Sequence, residues 1–202
     1  MRRRFAAVLM ILLCLLTACS SKETDGLQAP MDFRAALLQA GCCCFSAALT
    51  AGEGTEICEF GMDCVCRTDG TAELTVTAPQ SISGIKASCS SDGGEFVFDG
   101  MAVGFSDLAG GRVSPVSAPA LLASCWADAY IRAVGDEDGL CRVTYEYGYD
   151  EAQLIVDCWF EEKNVPIYAE ICYNNKTVLK TEISDFSFVS GGNYETTEED
   201  MG

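Results

Sequence analysis

An unbroken alternation of polar and apolar side chains runs from Thr71 to Ala78. A period of two residues is that of a β-strand with one buried face. The run from Cys58 to Arg67 alternates in the same way, and the turn sequence Thr68-Asp69-Gly70 separates the two. Together the runs predict a β-hairpin.

The same pattern recurs through most of the chain. The further runs are Ile85–Cys89, Phe96–Phe98, Met101–Phe105, Cys141–Tyr147, Leu154–Phe160, Ile167–Tyr173 and Val178–Phe188. Turn residues separate many of these runs, and Asn174-Asn175 joins the last two. We therefore predict a mainly β fold with α: a curved antiparallel sheet of about eight to eleven strands.

Two segments have helical periodicity instead. Asp32 is suited to cap a short N-terminal helix from Phe33 to Gln39, which Gly41 would end. Between Pro119 and Val134 apolar residues recur at helical spacing, and Gly135 follows as a stop signal. Only the sheet offers a surface large enough for this long helix, so we expect it to pack on the concave face.

The long helix carries the candidate binding residues. Trp126, Tyr130 and Leu122 lie on its apolar side and could line a groove for an apolar ligand. The alternative is that they pack into the core, as large aromatic side chains commonly do. Exposure of Trp126 and Tyr130 distinguishes the two possibilities.

The N-terminus predicts export and lipidation. Arg2 to Arg4 precede an uncharged apolar run, Phe5 to Leu16, that has the length of a signal-peptide core and is short for a membrane span. Leu16-Thr17-Ala18-Cys19 follows and resembles a bacterial lipobox. The resemblance implies a lipid on Cys19 and cleavage before it, whereas the alternative is an ordinary secretory peptide.

The predicted organisation has four parts. They are a signal peptide (1–18), a flexible lipidated tether (19–31), one β domain (32–190) and an acidic disordered tail (191–202). The predicted location is the outer surface of the cell membrane, with a covalent lipid as the attachment. With 202 residues, the chain is long enough for one well-cored domain.

Charge and composition exclude several functions. The formal net charge is −17, so the phosphate backbone of a nucleic acid would be repelled. The chain contains no histidine, which removes the commonest general base and zinc ligand. Neither Asp150-Glu151 nor Glu161-Glu162 matches an ordered calcium loop. We predict no catalytic residues, no metal and no cofactor.

The chain has thirteen cysteines, and two interpretations of them stay open. Cys42-Cys43-Cys44 and Cys64-Val65-Cys66 could serve as metal ligands or a redox pair. Alternatively, most cysteines occupy positions where the strand or helix pattern requires a small apolar residue. Disulfides to neighbouring strands are also possible. Apart from Cys14 and Cys19, eleven cysteines remain, so at least one stays unpaired within a monomer.

The chain resembles the LolA-like superfamily of bacterial lipoproteins and lipoprotein carriers, and most closely the clostridial lipoproteins of the germination type. The resemblance lies in the order of elements and in short phrases over 33–188. These phrases are Ser114 to Pro119, Val76-Thr77-Ala78-Pro79, Gly84-Ile85, Phe98-Asp99-Gly100, Val165-Pro166-Ile167 and Ala169-Glu170-Ile171. It implies a half-open β-barrel whose helix-closed concave face holds lipid in the carriers, while anchored relatives bind proteins.

The expected function is a non-enzymatic binding role at the membrane, with an apolar or lipid ligand or an envelope protein as the partner. One alternative is a regulatory lipoprotein that binds and positions a cell-wall enzyme, as the resemblance to the germination branch implies. The second is an extracytoplasmic thiol redox or metal-binding protein. That role would require clustered cysteines and a thiol of lowered pKa.

Overall fold

The structure is a computed structural model of the full chain. It describes residues 23–53, 56–90, 93–98, 101–103, 108–109, 111, 113–150, 153–162 and 164–190. The predicted signal peptide, Cys19 and the acidic tail lie outside these ranges. Among the described residues, no helix has the length and apolar character needed to cross a bilayer.

Two α-helices, one short 3₁₀-helix and eleven strands make up the described part of the chain. The helices are α1 (Glu23–Ala40), α2 (Ala118–Asp128) and the 3₁₀-helix (Gln80–Ile82). The strands are β1 (Gly41–Glu53), β2 (Glu56–Arg67), β3 (Thr71–Ala78), β4 (Lys86–Ser90), β5 (Gly93–Phe98), β6 (Met101–Val103), β7 (Tyr130–Glu137), β8 (Leu140–Tyr147), β9 (Leu154–Glu161), β10 (Val165–Tyr173) and β11 (Lys176–Ser190).

All eleven strands join one antiparallel sheet in the order β6-β5-β4-β3-β2-β1-β11-β10-β9-β8-β7. The sheet is curved and does not close, because β6 and β7 remain as its two edges. This confirms the predicted half-open barrel. The sheet consists of two meanders of sequential neighbours, β1 to β6 and β7 to β11. Among the described strands, only the pairing of β1 with β11 joins the two meanders, with Gly41 opposite Ser190 and Ala51 opposite Leu179.

The predicted hairpin of β2 and β3 is present. Gly70 adopts a φ of +85° and its N–H donates to the Arg67 carbonyl oxygen at 3.2 Å. The Asp69 carboxylate accepts from the Thr71 backbone N–H at 3.0 Å and from the Thr71 hydroxyl at 2.6 Å. These bonds lower the pKa of Asp69 and fix the register, in which Cys66 faces Ala72.

Helix α1 is longer than predicted. It begins at Glu23 instead of Phe33, so residues 23–31, which the sequence assigned to a flexible tether, are helical. Asp32 is therefore an interior residue, and its carboxylate accepts a hydrogen bond from Gln28 Nε2 at 2.7 Å. Pro30 cannot donate one of the helical hydrogen bonds, yet it is buried within the helix. The predicted stop is correct: the helix ends at Ala40, and Gly41 has a φ of +77°.

Helix α2 is shorter than predicted. The N-terminal helix α1, which the sequence predicted to be the short one, is the longer of the two. It ends at Asp128, Ala129 is extended, and Tyr130 to Glu137 form edge strand β7 instead of further helical turns. Strand pairing explains why this segment is extended and not helical: Val134 lies opposite Val143 on β8. Asp138 and Gly139 connect the strands with φ values of +56° and +83°, as a tight hairpin turn requires.

Both helices pack on the concave, inner face of the sheet. Trp126 of α2 is fully buried, and its ring contacts Phe33 of α1, Phe45 of β1 and Phe186 of β11 at centroid distances of 5.8, 5.6 and 5.9 Å. The rings meet largely edge to face, a favourable arrangement for aromatic pairs. The core is therefore built around one tryptophan held by both helices and the central strands.

A bulge in β11 directs two successive side chains to opposite faces of the sheet. Cys44 pairs with Ser187 and Ser46 with Ser184, so Asp185 and Phe186 together lie opposite Phe45. Asp185 takes a φ of +53°. The extra residue lets Phe186 turn inward onto Trp126 while Asp185 stays exposed on the outer face.

Candidate functional site: the outer face of the sheet

The three residues of the predicted groove do not share a site. Leu122 and Trp126 are each 0% exposed in the core, and the Trp126 indole N–H donates to the Cys158 sulfur at 3.3 Å. Tyr130 lies on β7 and is 68% exposed. The two helices fill the inner face at Trp126, so the surface available for binding is the opposite, outer face.

Two cross-strand rows of functional side chains run side by side on the outer face of β8 to β11. In the first row Arg142 lies opposite Trp159, which lies opposite Tyr168. In the second, Asp157 lies opposite Glu170, which lies opposite Lys180. We call these six residues the outer strip. Their order follows from antiparallel register, which places outward-facing residues of neighbouring strands side by side.

Asp157 is the most buried member of the outer strip, with 6% exposure. Both of its oxygens accept from Arg142, from Nε at 3.2 Å and from Nη2 at 2.9 Å, and the Thr144 hydroxyl donates to it as well. Arg142 also pairs with Glu137 at 2.9 Å, and these carboxylates raise the pKa of its guanidinium. A bidentate pair of this kind holds both side chains in one geometry.

Two half-buried aromatic rings lie next to this ion pair. The Arg142 guanidinium carbon is 5.1 Å from the centroid of the Trp159 ring, and the Trp159 and Tyr168 centroids are 5.2 Å apart. The Tyr168 hydroxyl donates to Glu170 at 2.8 Å. The result is a contiguous surface of a guanidinium over the Trp159 ring and a second ring tilted against it. Arginine, tryptophan and tyrosine are the residue types that dominate binding energy at protein interfaces.

Glu170 links the aromatic pair to the centre of the sheet. Burial alone would raise its pKa, but hydrogen bonds from Tyr168, Lys180 and Thr177 outweigh burial and lower the pKa. Lys180 Nζ lies 3.3 Å from Glu170 Oε1, and the Thr177 hydroxyl donates to Oε2 at 3.1 Å. The pKa of the Tyr168 phenol is raised by burial and by this carboxylate. Tyr168 is therefore a neutral hydrogen-bond donor at neutral pH.

An open trough continues from the outer strip across the central strands. It consists of two hollows of about 450 and 920 Å³ that both include Ser46. The smaller hollow adjoins Tyr168 and is lined by the small residues Ala48 and Gly61. At Gly61 a side chain would not fit, because its Cβ would lie 2.7 Å from the Thr77 hydroxyl oxygen.

The larger hollow has a polar rim. Asp63, Glu73, Lys86 and Asp185 line it, and the Ser46 hydroxyl donates to Asp63 at 2.7 Å. We call the two hollows together the outer trough. With the outer strip it forms one continuous surface on which aromatic, small and charged residues succeed one another, a combination suited to contact with another molecule.

The cysteines mostly pack as apolar side chains. Cys43, Cys66, Cys125 and Cys158 are each 0% exposed. Burial raises the pKa of the Cys89 thiol to about 11 and that of Cys158 to about 12. Since the thiolate is the reactive form, raised pKa values disfavour redox or nucleophilic chemistry. Across the ranges that the structure describes, no group of three or more Cys, Asp or Glu side chains is arranged to hold a metal ion.

Sequence reasoning missed the outer strip, although a signal for it existed. The apolar positions of these strands were recognised from the alternation. The intervening polar positions hold Arg142, Asp157, Trp159 and Glu170. Trp159 at such a position, flanked by Asp157 and Glu161, marks an aromatic ring that faces away from the core.

No known family profile matches the chain, and no curated protein matches it by sequence. Among solved structures, a LolA superfamily protein from Nitrosomonas europaea is similar with a TM-score of 0.42 and 8% identity, covering 81% of this chain and 93% of that one. A putative outer membrane lipoprotein-sorting protein domain from Vibrio parahaemolyticus is similar with a TM-score of 0.44 and 9% identity, over 87% and 96%.

LprF from Mycobacterium bovis is similar with a TM-score of 0.40 and 12% identity, over 91% of this chain and 100% of that one. At such identities the likeness concerns the fold alone. The predicted closeness to clostridial germination lipoproteins stays a prediction. The curved, unclosed sheet with both described helices on its inner face is itself the half-open barrel architecture that the resemblance in the sequence implied.

Proposed function

We propose that this chain is a lipid-anchored, non-enzymatic binding protein that holds an envelope protein at the outer surface of the membrane. In this proposal a signal peptide ends at Ala18 and Cys19 carries the lipid. The outer strip and outer trough form the binding surface. The observation that carries the proposal is the Trp159–Tyr168 pair, which is fixed by two charged networks on the face opposite the two described helices.

The arrangement of the outer strip suits binding because its side chains are ordered before a partner arrives. Arg142 is held by Asp157, and Tyr168 by Glu170, so little rotamer entropy remains to be lost on association. Half-buried Trp159 and Tyr168 offer apolar area, and the polar groups around them can exclude water. These properties are those of an interface hot spot.

Charge favours a basic partner. The net charge of the chain is −17, and the exposed carboxylates of Asp185 and Glu182 lie at the two hollows of the outer trough. An acidic protein attracts cationic surfaces over several ångströms and accelerates their encounter. We therefore expect a partner with a patch of Lys and Arg, and association that weakens with added salt.

Site-specific photo-crosslinking in the lipidated full chain tests this function. A photo-reactive amino acid in place of Glu182, beside Tyr168, should crosslink to an envelope protein. The same probe in place of Tyr149, which is 88% exposed elsewhere, is the matched control and should not. The Trp159→Ala substitution should abolish the crosslink from position 182, and mass spectrometry then identifies the partner. A cell-wall enzyme as that partner would assign the regulatory role.

The proposal is wrong if positions 182 and 149 give the same products, or if Trp159→Ala leaves the crosslink intact. Circular dichroism of Trp159→Ala should show the native spectrum, because the side chain lies on the outer face. Trp126→Ala is unsuitable as a control since it removes the centre of the core.

An apolar ligand is the second candidate, favoured by the apolar inner face beneath the helices. Phe33 and Leu37 of α1 cover this face, so a lipid would have to displace the helix to enter. Mass spectrometry of the chain purified in mild detergent tests this candidate. A stoichiometric lipid that survives Trp159→Ala would assign the ligand to the inner face and argue against the outer surface.

Lipidation has its own test. Cells that express the chain should incorporate radiolabelled palmitate into it, and Cys19→Ala should prevent both incorporation and membrane fractionation. Unchanged processing of Cys19→Ala would show that the anchor is not at this residue.

A further inference from the structure

Helix α1 exposes an apolar stripe beside its buried face. Leu27, Met31 and Leu38 are 44%, 42% and 53% exposed. Their spacings of four and seven residues place them on one side of the helix, where exposed Ala35 also lies. We call these four residues the α1 stripe. Apolar side chains exposed in one row form a contiguous patch that a single binding partner can bury, which scattered apolar side chains do not.

The domain does not need the α1 stripe for its own core. The adjacent side of α1 faces inward through Phe33, at 2% exposure, and Leu37, at 0%. Arg34 further fixes the helix by donating to the Trp126 and Ala129 carbonyl oxygens at 2.9 and 2.6 Å. The helix is thus held on the domain, and the α1 stripe is directed outward.

Chain length places the α1 stripe close to the proposed anchor. Three residues lie between Cys19 and Glu23, where α1 begins, so four Cα–Cα steps join the two. Even fully extended, they span at most about 14 Å. Leu27 follows within roughly one further helical turn, about 6 Å along the axis. A lipid on Cys19 would therefore hold Leu27, the N-terminal member of the α1 stripe, within about 20 Å of the bilayer surface.

We propose that the α1 stripe lies on the surface of the membrane to which Cys19 is attached, and so orients the domain. This inference rests on the lipidation proposed above. The occupant of the α1 stripe is the interface of the bilayer, into which the three large apolar side chains insert. An amphipathic helix commonly binds a membrane in this manner, with its apolar side at the boundary of headgroups and acyl chains.

The lipid anchor on Cys19 makes the small α1 stripe sufficient for membrane contact. Three side chains would bind a membrane only weakly from solution, but a short tether raises the local concentration of the bilayer to the millimolar range or above. Because α1 packs on the inner face of the sheet, membrane contact leaves the outer strip on the side of the domain directed away from the bilayer. The binding surface then stays accessible to a partner.

The net charge of −17 predicts the lipid preference. An acidic domain is repelled by anionic headgroups, so contact should be strongest on zwitterionic phosphatidylcholine. Addition of phosphatidylglycerol should weaken it, and salt should restore it by screening.

Quenching of tryptophan fluorescence by brominated phosphatidylcholine tests the proposal in vesicles that carry the lipidated full chain. Two pairs of variants compare neighbouring exposed residues, which differ by about 100° around the helix axis. They are Met31→Trp against Asp32→Trp, and Leu38→Trp against Gln39→Trp. The native Trp126 and Trp159 supply a background that the parent chain measures.

We expect Met31→Trp and Leu38→Trp to be quenched at least twofold more strongly than Asp32→Trp and Gln39→Trp. Equal quenching within each pair overturns the proposal. Blue-shifted emission of Met31→Trp without quenching would assign the α1 stripe to a protein, which also overturns it. Mass spectrometry of the same sample reports the lipid on Cys19, so failed lipidation is distinguished from failed membrane contact.

Discussion

Arg34 caps a helix to which it does not belong: its Nε donates to the Trp126 carbonyl oxygen at 2.9 Å. Its Nη2 donates to the Ala129 carbonyl oxygen at 2.6 Å and to that of Cys125 at 3.3 Å. Carbonyl groups at a helix C-terminus lack hydrogen-bond donors within the helix and carry partial negative charge. A guanidinium supplies both the missing donors and a compensating positive charge. One side chain of α1 thereby ends α2 before strand β7.

Removal of this cap should destabilise the domain. We expect Arg34→Gln to lower the free energy of unfolding by about 2 kcal/mol, because charged hydrogen bonds to half-buried carbonyls are lost. Arg34→Lys should recover part of the loss, since an ammonium keeps the charge but not the fork of donors. Urea unfolding of each variant measures this. The matched control is Arg132→Gln, whose side chain is 58% exposed in a surface ion pair and should matter by under about 0.5 kcal/mol.

Trp126 and Tyr130 should respond to truncation in opposite ways. Trp126→Ala leaves a cavity between both helices and the sheet and should cost about 3–5 kcal/mol. Tyr130→Ala removes an exposed ring and should change stability by under about 0.5 kcal/mol. Thermal and urea unfolding report both. Similar effects of the two substitutions would contradict the burial difference between these residues.

Substitution of Thr181 should raise the stability of the domain. Its hydroxyl is buried on the inner face without a hydrogen-bond partner. Thr181→Val keeps the shape and removes the desolvated hydroxyl, so the free energy of unfolding should rise by about 1 kcal/mol. Thr177→Val serves as the comparison, because that hydroxyl donates to Glu170 and its loss should not stabilise the protein. Destabilisation by Thr181→Val would show that the hydroxyl has a partner after all.

Thiol reactivity should follow burial. At pH 8, N-ethylmaleimide should modify exposed Cys58 quickly in the folded protein. Buried Cys66 and Cys125 should react only after unfolding in guanidinium, because burial raises the pKa of both thiols. Peptide mapping after timed alkylation measures each site. Fast modification of Cys66 in the folded chain would revive a redox role.

Glu170 should contribute to stability in a pH-dependent way. Its folded-state pKa is lowered, so the contribution is fully present above the unfolded value, about 4.3, and is lost as pH falls through the folded value. We expect Glu170→Gln to lower the free energy of unfolding by about 1 kcal/mol at pH 7. The difference should vanish in the acid range. A constant difference from pH 7 to pH 3 would contradict the lowered pKa.

The strands with a strong alternating pattern were predictable, and the errors have physical causes. Strand β1 was missed because its inward residues include Cys43, Ala47 and Ala51, whose weak apolar contrast hides a period of two. Helix α2 was extended too far because Ala129, Tyr130 and Ala133 continue a helical spacing by chance. Asp138-Gly139 is a hairpin turn signal that would have placed strand β7 correctly.

The outer strip could not be assembled from sequence, because it depends on register. Trp159 meets Tyr168 only after the pairing of β9 with β10 shifts between Pro166 and Tyr168. Arg142 and Asp157 lie fifteen residues apart and meet through a diagonal across β8 and β9. Alternation identifies the face of each side chain, but it does not specify its cross-strand neighbours.

The pairing of β1 with β11 has a consequence for how the protein matures. Each meander is made of sequence-local hairpins, whereas this single pairing joins positions near 41 and near 190. Contacts between distant positions form slowly because a long loop must close first. The barrel is therefore completed only when the last strand has been synthesised. The proposed lipoprotein would be threaded through a membrane before it folds, and a topology that postpones final assembly suits that route.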